Sequence, residues 1–226
     1  METRATTNGV QQHAQEQAYI EWREYHTKQS PMCVFYETKE QHLASVCKTL
    51  SPRNGYVAQF GVDAGHTLRL LSAQFPKKKV YGFDAWHKKG PGLPDVWTGN
   101  IDHSTAFTWT KKEYKELKRS MPKNVKLIPG LFNKQTITAT LGTGPASLIH
   151  IDCDTGPSTT IVLEAIKDNL RIGTRIVFDE YANYSGWKEH EFKAWKLFCS
   201  ENKIEYCYTG ISNMDVSIKI TNKLEQ

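Results

Sequence analysis

Short apolar runs alternate with amphipathic stretches along most of this chain. The runs Tyr56–Phe60, Lys79–Phe83, Val125–Ile128, Ser147–Ile151, Thr174–Phe178, Glu205–Tyr208 and Val216–Ile220 are mostly β-branched or aromatic and predict seven strands. Between them, Thr67–Phe75, Lys111–Ser120, Lys134–Leu141, Ser158–Asn169 and Glu189–Glu201 carry their apolar residues with helical spacing. Strands and helices taken in turn predict an α/β fold with a mainly parallel sheet wrapped on both faces. The last two strands have no helix between them, so Thr209–Asp215 is expected to close an antiparallel hairpin.

Upstream, Gln11–Lys28 places Ala18, Ile20, Trp22 and Tyr25 loosely on one helical side, and Lys39–Leu50 repeats the pattern through Leu43, Val46, Cys47 and Leu50. The breaker cluster Ser51-Pro52-Arg53-Asn54-Gly55 follows. The expected organisation is an N-terminal helical extension or lid over residues 1–52 and one α/β domain over 53–226. Two roles stay open for the extension: closing the mouth of the core, or pairing with a second copy in a homo-oligomer. The longest stretch without periodicity, Ala85–Thr110, is of a size more often functional than idle in a compact domain.

Composition narrows the class. A chain of 226 residues with 39% hydrophobic, 11% aromatic and 23% charged residues excludes disorder, collagen-like repeats and an overall coiled coil. No apolar run approaches the roughly 20 residues of a membrane helix. The start, METRATTNGVQQHAQEQAY, shows no apolar segment with a cleavage site, so no secretory signal is expected and the cytoplasm is the expected location. Cys33, Cys47, Cys153, Cys199 and Cys207 lack CxxC or CxxH spacing, against both a disulfide framework and a zinc site. A formal charge of +5 is a mild excess that attracts anions without specifying nucleic acid.

In an open parallel sheet, ligands collect at the carboxyl ends of the strands, where the strand order reverses. The first predicted strand runs into Gly61-Val62-Asp63-Ala64-Gly65-His66-Thr67, whose glycines permit either a close approach to a ligand or simply a sharp turn. The second ends at Asp84, which suits the two hydroxyls of a ribose or the capping of a loop. Two later strands deliver Asp152 with Asp154, and Asp179 with Glu180, to the same edge. Like charges brought together are costly unless a cation, a positive ligand or a proton neutralises them, and a hard divalent ion such as Mg²⁺ is the simplest answer. The structural alternative is helix capping, for instance by Asp154 near Ser158.

Taken together, Gln59-Phe60-Gly61-Val62 with Gly65, Thr67 and Leu68, then Tyr81-Gly82-Phe83-Asp84-Ala85-Trp86 with Gly92-Leu93-Pro94, then Pro129-Gly130-Leu131-Phe132, then His150-Ile151-Asp152-Cys153-Asp154 with Ser158-Thr159, then Phe178-Asp179-Glu180-Tyr181, resemble the macrocin O-methyltransferase family of class I S-adenosylmethionine enzymes. The resemblance runs from about Tyr56 to about Phe198. It implies a Rossmann-like fold and S-adenosylmethionine as cofactor, with Gly61, Gly65 and Thr67 bordering its methionine part and Asp84 holding its ribose. Gly130 to Phe132 would lie near the adenine, and Val62, Ala85, Trp86 and Asp152 would complete the lining. It further implies Mg²⁺ held by Asp152, Asp179 and Glu180, as in catechol methyltransferases. There a metal-bound hydroxyl loses its proton and meets the sulfonium methyl in line.

Two positions depart from the pattern. Gln59 replaces an acidic residue usual two positions before the first glycine, and Thr155 stands where catechol-type enzymes place a lysine base. His103, in Ile101-Asp102-His103-Ser104, best matches the family's loop histidine and joins Asp152 as the expected catalytic pair, although a solvated loop histidine is its other reading. His66, His87 and His150 are weaker candidates, since a strand histidine is usually satisfied internally. The expected acceptor is a hydroxyl of a small molecule or glycan, which Trp86, His87, Trp97, Phe107 and Trp109 would stack against unless they form the core of a lid. The basic groups Lys77–Lys79, Lys88-Lys89 and Lys111–Arg119 keep an RNA acceptor as the lesser reading, and a non-catalytic cofactor-binding partner subunit is a further alternative.

Overall fold

The computed structural model describes residues 7–30, 32–50, 54–86 and 109–223. In chain order the elements are α1 (Thr7–Gln29), β1 (Val34–Phe35), α2 (Lys39–Lys48), β2 (Tyr56–Phe60), α3 (His66–Gln74), β3 (Val80–Asp84), α4 (Lys111–Ser120), β4 (Val125–Pro129), α5 (Lys134–Leu141), β5 (Ala146–Ile151), α6 (Gly156–Ile166), β6 (Arg175–Phe178), α7 (Glu191–Asn202), β7 (Ile204–Ser212) and β8 (Asp215–Lys223). The strands form one sheet in the order β1-β7-β8-β6-β5-β2-β3-β4. Every pairing is parallel except those of β8 with β6 and β7. This is the α/β, Rossmann-like arrangement with an antiparallel C-terminal hairpin.

Side-chain alternation explains the layers. Val57, Leu148 and Val177 face one side, where they pack with Leu43 and Val46 of α2, Leu68 and Leu71 of α3, and Tyr114 and Leu117 of α4. Their neighbours Ala58, Ile149, Ile176 and Phe178 face the other side, against Ile137 of α5, Val162 and Leu163 of α6, Trp195 and Phe198 of α7, and Trp22 of α1. All six residues of β5 are buried, as expected of a central strand covered on both faces. Trp22 anchors α1 edge-on to Trp187 at 5.5 Å and Tyr181 at 6.2 Å between ring centroids.

Helix starts follow local chemistry. Thr110 and Glu113 form a capping box at α4, and the Asn133 and Thr38 side chains accept from Thr136 N–H and Gln41 N–H at α5 and α2. Thr155, not Asp154, caps α6: its Oγ1 accepts from Ser158 N–H at 3.3 Å. The residue standing in the lysine's place is thereby given a structural role.

Among the described residues the sheet has eight strands, against seven expected. The addition is β1, two exposed residues paired in parallel with Gly210 and Ile211 of β7. So short a pair gives no alternation to read. The hairpin is also longer than expected: most of Thr209–Asp215 is strand, and the turn closes at Asn213, whose φ is +52°.

Candidate functional site

From β2 the chain proceeds outward through β3 and β4 on one side, while β5 and β6 lie on the other, so the order reverses between β2 and β5. Both strands end at this switch point, and main-chain bonds stitch the loops beyond them. Gly61 N–H donates to Phe83 O at 2.9 Å, Asp152 N–H to Phe60 O at 2.8 Å, and Gly130 N–H to Asp84 O at 2.9 Å. Gly61, Val62, Asp84, Gly130 and Asp152 are thus gathered at one end of the sheet. Gly61 has φ +85°, and a Cβ there would stand 1.5 Å from the Asp152 carbonyl oxygen. Gln59, the departure from the family pattern, is buried and donates from Nε2 to Gly61 O at 2.7 Å. It braces the turn.

Asp84 is half-committed. Its Oδ2 accepts from Val62 N–H at 2.7 Å and Asp63 N–H at 2.8 Å, while Oδ1 has only a long contact, 3.4 Å, from Trp86 N–H. One carboxylate oxygen therefore shapes the glycine turn and the other retains capacity for a hydroxyl donor. Trp86, at φ +41°, is spent on the core: its indole is 1% exposed, tilts against Tyr114 and donates to Asp63 O at 3.0 Å. Only its backbone is free to line a ligand. Ala85 and Thr67 are half-buried, Gly65 begins α3 at φ +77°, and Phe132 meets Phe60 edge-on at 6.0 Å. His103, His87, Trp97, Phe107 and Gly92-Leu93-Pro94 lie outside the described residues.

Beside this turn is an acidic cluster. His150, Asp152 and Asp179 each offer a ligand atom, all within 4.8 Å of one another. Glu180 stands outside that group: its N–H donates to Glu191 Oε2 at 3.2 Å, and its carboxyl adds to the negative field at Glu191. The sequence offered His150 only as a weaker candidate and did not single out Lys39. His150 is wholly buried, yet neither ring nitrogen makes a hydrogen bond, and Nε2 faces Asp179 Oδ1 at 3.5 Å. Lys39, the first residue of α2, pairs with Asp179 and lies 3.9 Å from Asp215 Oδ1. A lysine in the first turn opposes the helix dipole, and that was the one signal of its role in the sequence.

The electrostatics follow from three carboxylates sharing one ammonium. Burial, then the charge of Asp179, pushes the Asp152 carboxyl well above the usual carboxylate range. Asp215 is pushed up to about 8 by burial and by Asp179, and Asp154 to about 6 by burial and then Asp84, Asp179 and Asp63. Burial also opposes ionisation of Asp179, but His150 and Lys39 beside it outweigh that cost and hold it below the ordinary range. Burial works against the charge of Lys39 too, and Asp179, Asp152 and Asp215 more than offset it. Burial lowers His150 to about 4, so its imidazole is neutral at pH 7. The cluster is short of positive charge.

Comparison with known proteins agrees with this fold. The sequence profile of a family described as a methyltransferase domain matches residues 58–181. No curated protein sequence matches the chain. Among solved structures, the calicheamicin methyltransferase CalS11 is similar with a TM-score of 0.65 and 19% identity, over 80% of this chain and 77% of that one. The O-methyltransferase NovP has a TM-score of 0.62 and 16% identity, over 81% and 80%. SMU.1697c from Streptococcus mutans, solved in complex with SAH, has a TM-score of 0.50 and 20% identity, over 82% and 99%. Among the described residues, no helix is long and apolar enough to cross a membrane.

Proposed function

Because the chain belongs to the methyltransferase-domain family, whose profile covers more than half of it, and is an S-adenosylmethionine-dependent methyltransferase, we propose that it methylates a hydroxyl oxygen of a small molecule or glycan with the help of Mg²⁺. One observation carries this reading: Asp152 touches both halves of the site, its carbonyl packed on the Gly61 turn and its carboxyl within the acidic cluster. Two of the similar structures are O-methyltransferases, and one of these, CalS11, is described as a TDP-rhamnose 3'-O-methyltransferase, which supports a sugar hydroxyl as the acceptor.

The roles of the residues follow from their positions. The Gly61–Gly65 turn would let a ligand approach the backbone closely, and Asp84 Oδ1, which has only the long contact from Trp86 N–H, would accept from a ribose hydroxyl. S-adenosylmethionine supplies a methyl group already made electrophilic by its sulfonium, which leaves the protein to orient it and remove one proton from the acceptor. His103, in the segment of sequence between β3 and α4, is our candidate for accepting that proton. A divalent ion fits the cluster: Asp152 and Asp179 would hold it, with His150, whose buried nitrogens lack hydrogen bonds, at their side and Glu180 nearby. Such an ion lowers the pKa of a hydroxyl bound to it.

The test is titration calorimetry with S-adenosylhomocysteine, followed by transfer of labelled methyl groups to a panel of nucleotide sugars with and without EDTA. Micromolar binding, and transfer that EDTA and Asp152→Asn each reduce at least a hundredfold, are expected. Absence of S-adenosylhomocysteine binding would overturn the cofactor assignment. Transfer indifferent to EDTA would overturn the metal.

A further inference from the structure

Lys39 is out of place by the rules of its own helix. It occupies the first turn of α2, where the unpaired N–H groups favour negative charge, and the one acidic residue of α2 is its neighbour Glu40. Its compensation comes from across the fold: Asp179 at the end of β6 and Asp215 at the start of β8. The helix is held so as to aim it. His42, one turn along, meets Ser212 Oγ through Nδ1 at 3.1 Å and Ser217 Oγ through Nε2 at 2.8 Å, which locks α2 to the β7–β8 hairpin. The Lys39 side chain is 29% exposed and that of Asp179 19%, so the pair sits at the mouth of the cluster with a path outward for the ammonium.

A proton-accepting role is excluded by the same surroundings. Lys39 is paired with Asp179 and stands 3.9 Å from Asp215, so its neighbours are carboxylates, whereas a lysine base needs apolar or cationic ones. What Lys39 does supply is one positive charge on the carboxylate that completes the His150–Asp152–Asp179 group. An ammonium and a divalent cation cannot share one carboxylate at close range without strong mutual repulsion.

We propose that Lys39 is an internal stand-in for the metal: its ammonium neutralises Asp179 while the site holds no ion, and it leaves that carboxylate when a divalent cation binds. This rests on the metal reading above. It gives the N-terminal segment a function, since α2 carries the group that ion binding displaces. The intrinsic affinity of the cluster for divalent cations is set lower than its carboxylates alone would give.

The experiment is Mn²⁺ binding to the full chain, without cofactor or acceptor, followed by the electron paramagnetic resonance of free Mn²⁺. Lys39→Met is expected to bind at least tenfold more tightly than the wild type, and Lys39→Arg, which keeps the charge, to resemble the wild type. In metal-free buffer Lys39→Met is expected to melt below the wild type and to gain more in melting temperature on adding Mn²⁺. The tight site of Lys39→Met is expected to vanish when Asp152→Asn is added. Equal or weaker Mn²⁺ binding by Lys39→Met, or a tight site that survives Asp152→Asn, would overturn the stand-in role and leave the metal reading standing. Failure of both wild type and Lys39→Met to bind Mn²⁺, with S-adenosylhomocysteine still bound, would overturn the metal reading and the stand-in with it.

Discussion

Glu191, the first residue of α7, accepts a hydrogen bond from the backbone N–H of Cys153 at 3.3 Å. Its second carboxylate oxygen accepts from Glu180 N–H at 3.2 Å, so one buried side chain ties the loop after β5 to the loop after β6. Those loops carry Asp152 and Asp179. Glu191→Ala leaves one buried and one half-buried N–H group without this partner and is expected to cost about 2 to 4 kcal/mol in urea unfolding. Glu191→Gln keeps one acceptor and is expected to cost about half as much. Equal costs would show that something other than these two bonds carries the effect.

Gly61 and Gly144 make a matched pair for testing the turn. At Gly61 an added Cβ meets the Asp152 carbonyl at 1.5 Å and the backbone has φ +85°, whereas at Gly144 it meets nothing within 4 Å. Gly61→Ala is expected to lose about 4 kcal/mol or more, or to abolish S-adenosylhomocysteine binding by displacing the end of β5. Gly144→Ala is expected to stay within about 0.5 kcal/mol of the wild type. Denaturant melts and calorimetry read both.

His42 makes stability depend on pH. Burial lowers its imidazole to about 4, while the unfolded chain protonates near its ordinary value of about 6.5. On acidification the unfolded state takes up the proton first, so the contribution is complete above about 6.5 and is lost as pH falls toward 4. Replacing it by glutamine is expected to reduce the loss of unfolding free energy between pH 7 and pH 4.5 by about 2 kcal/mol. His150 has the same direction of shift and the charge of His42 adds to it, so the difference reads His42 together with its coupling to His150. Parallel pH profiles for the two proteins would contradict the assignment.

Much of the fold and part of the site were legible in the residues. The limits of β2, α4 and α5 agree with the pattern because each starts or stops on a local signal: the Gly61 turn, the Thr110–Glu113 box, the Asn133 cap. Gly61, Asp84, Asp152 and Asp179 could be placed together because a parallel sheet carries the ends of its strands to one edge. For Trp86 the sequence left two readings open, a ligand contact or core, and its side chain takes the second. An aromatic beside a glycine-rich turn reads the same whether it faces a ligand or the core, and only the packing of Tyr114 and Leu117 above it separates the two.

Local order therefore belongs to the sequence: strand and helix periods, caps and turns are decided within a few residues, by sterics and hydrogen bonds that need no distant partner. Which group meets the charges of Asp152 and Asp179 was decided by the tertiary structure alone. Lys39 reaches Asp179 across 140 positions, and His150 is left without a hydrogen bond, because two faces of a sheet were covered and α2 was docked on the hairpin. Electrostatic partnership depends on distance and burial, and neither is written along the chain.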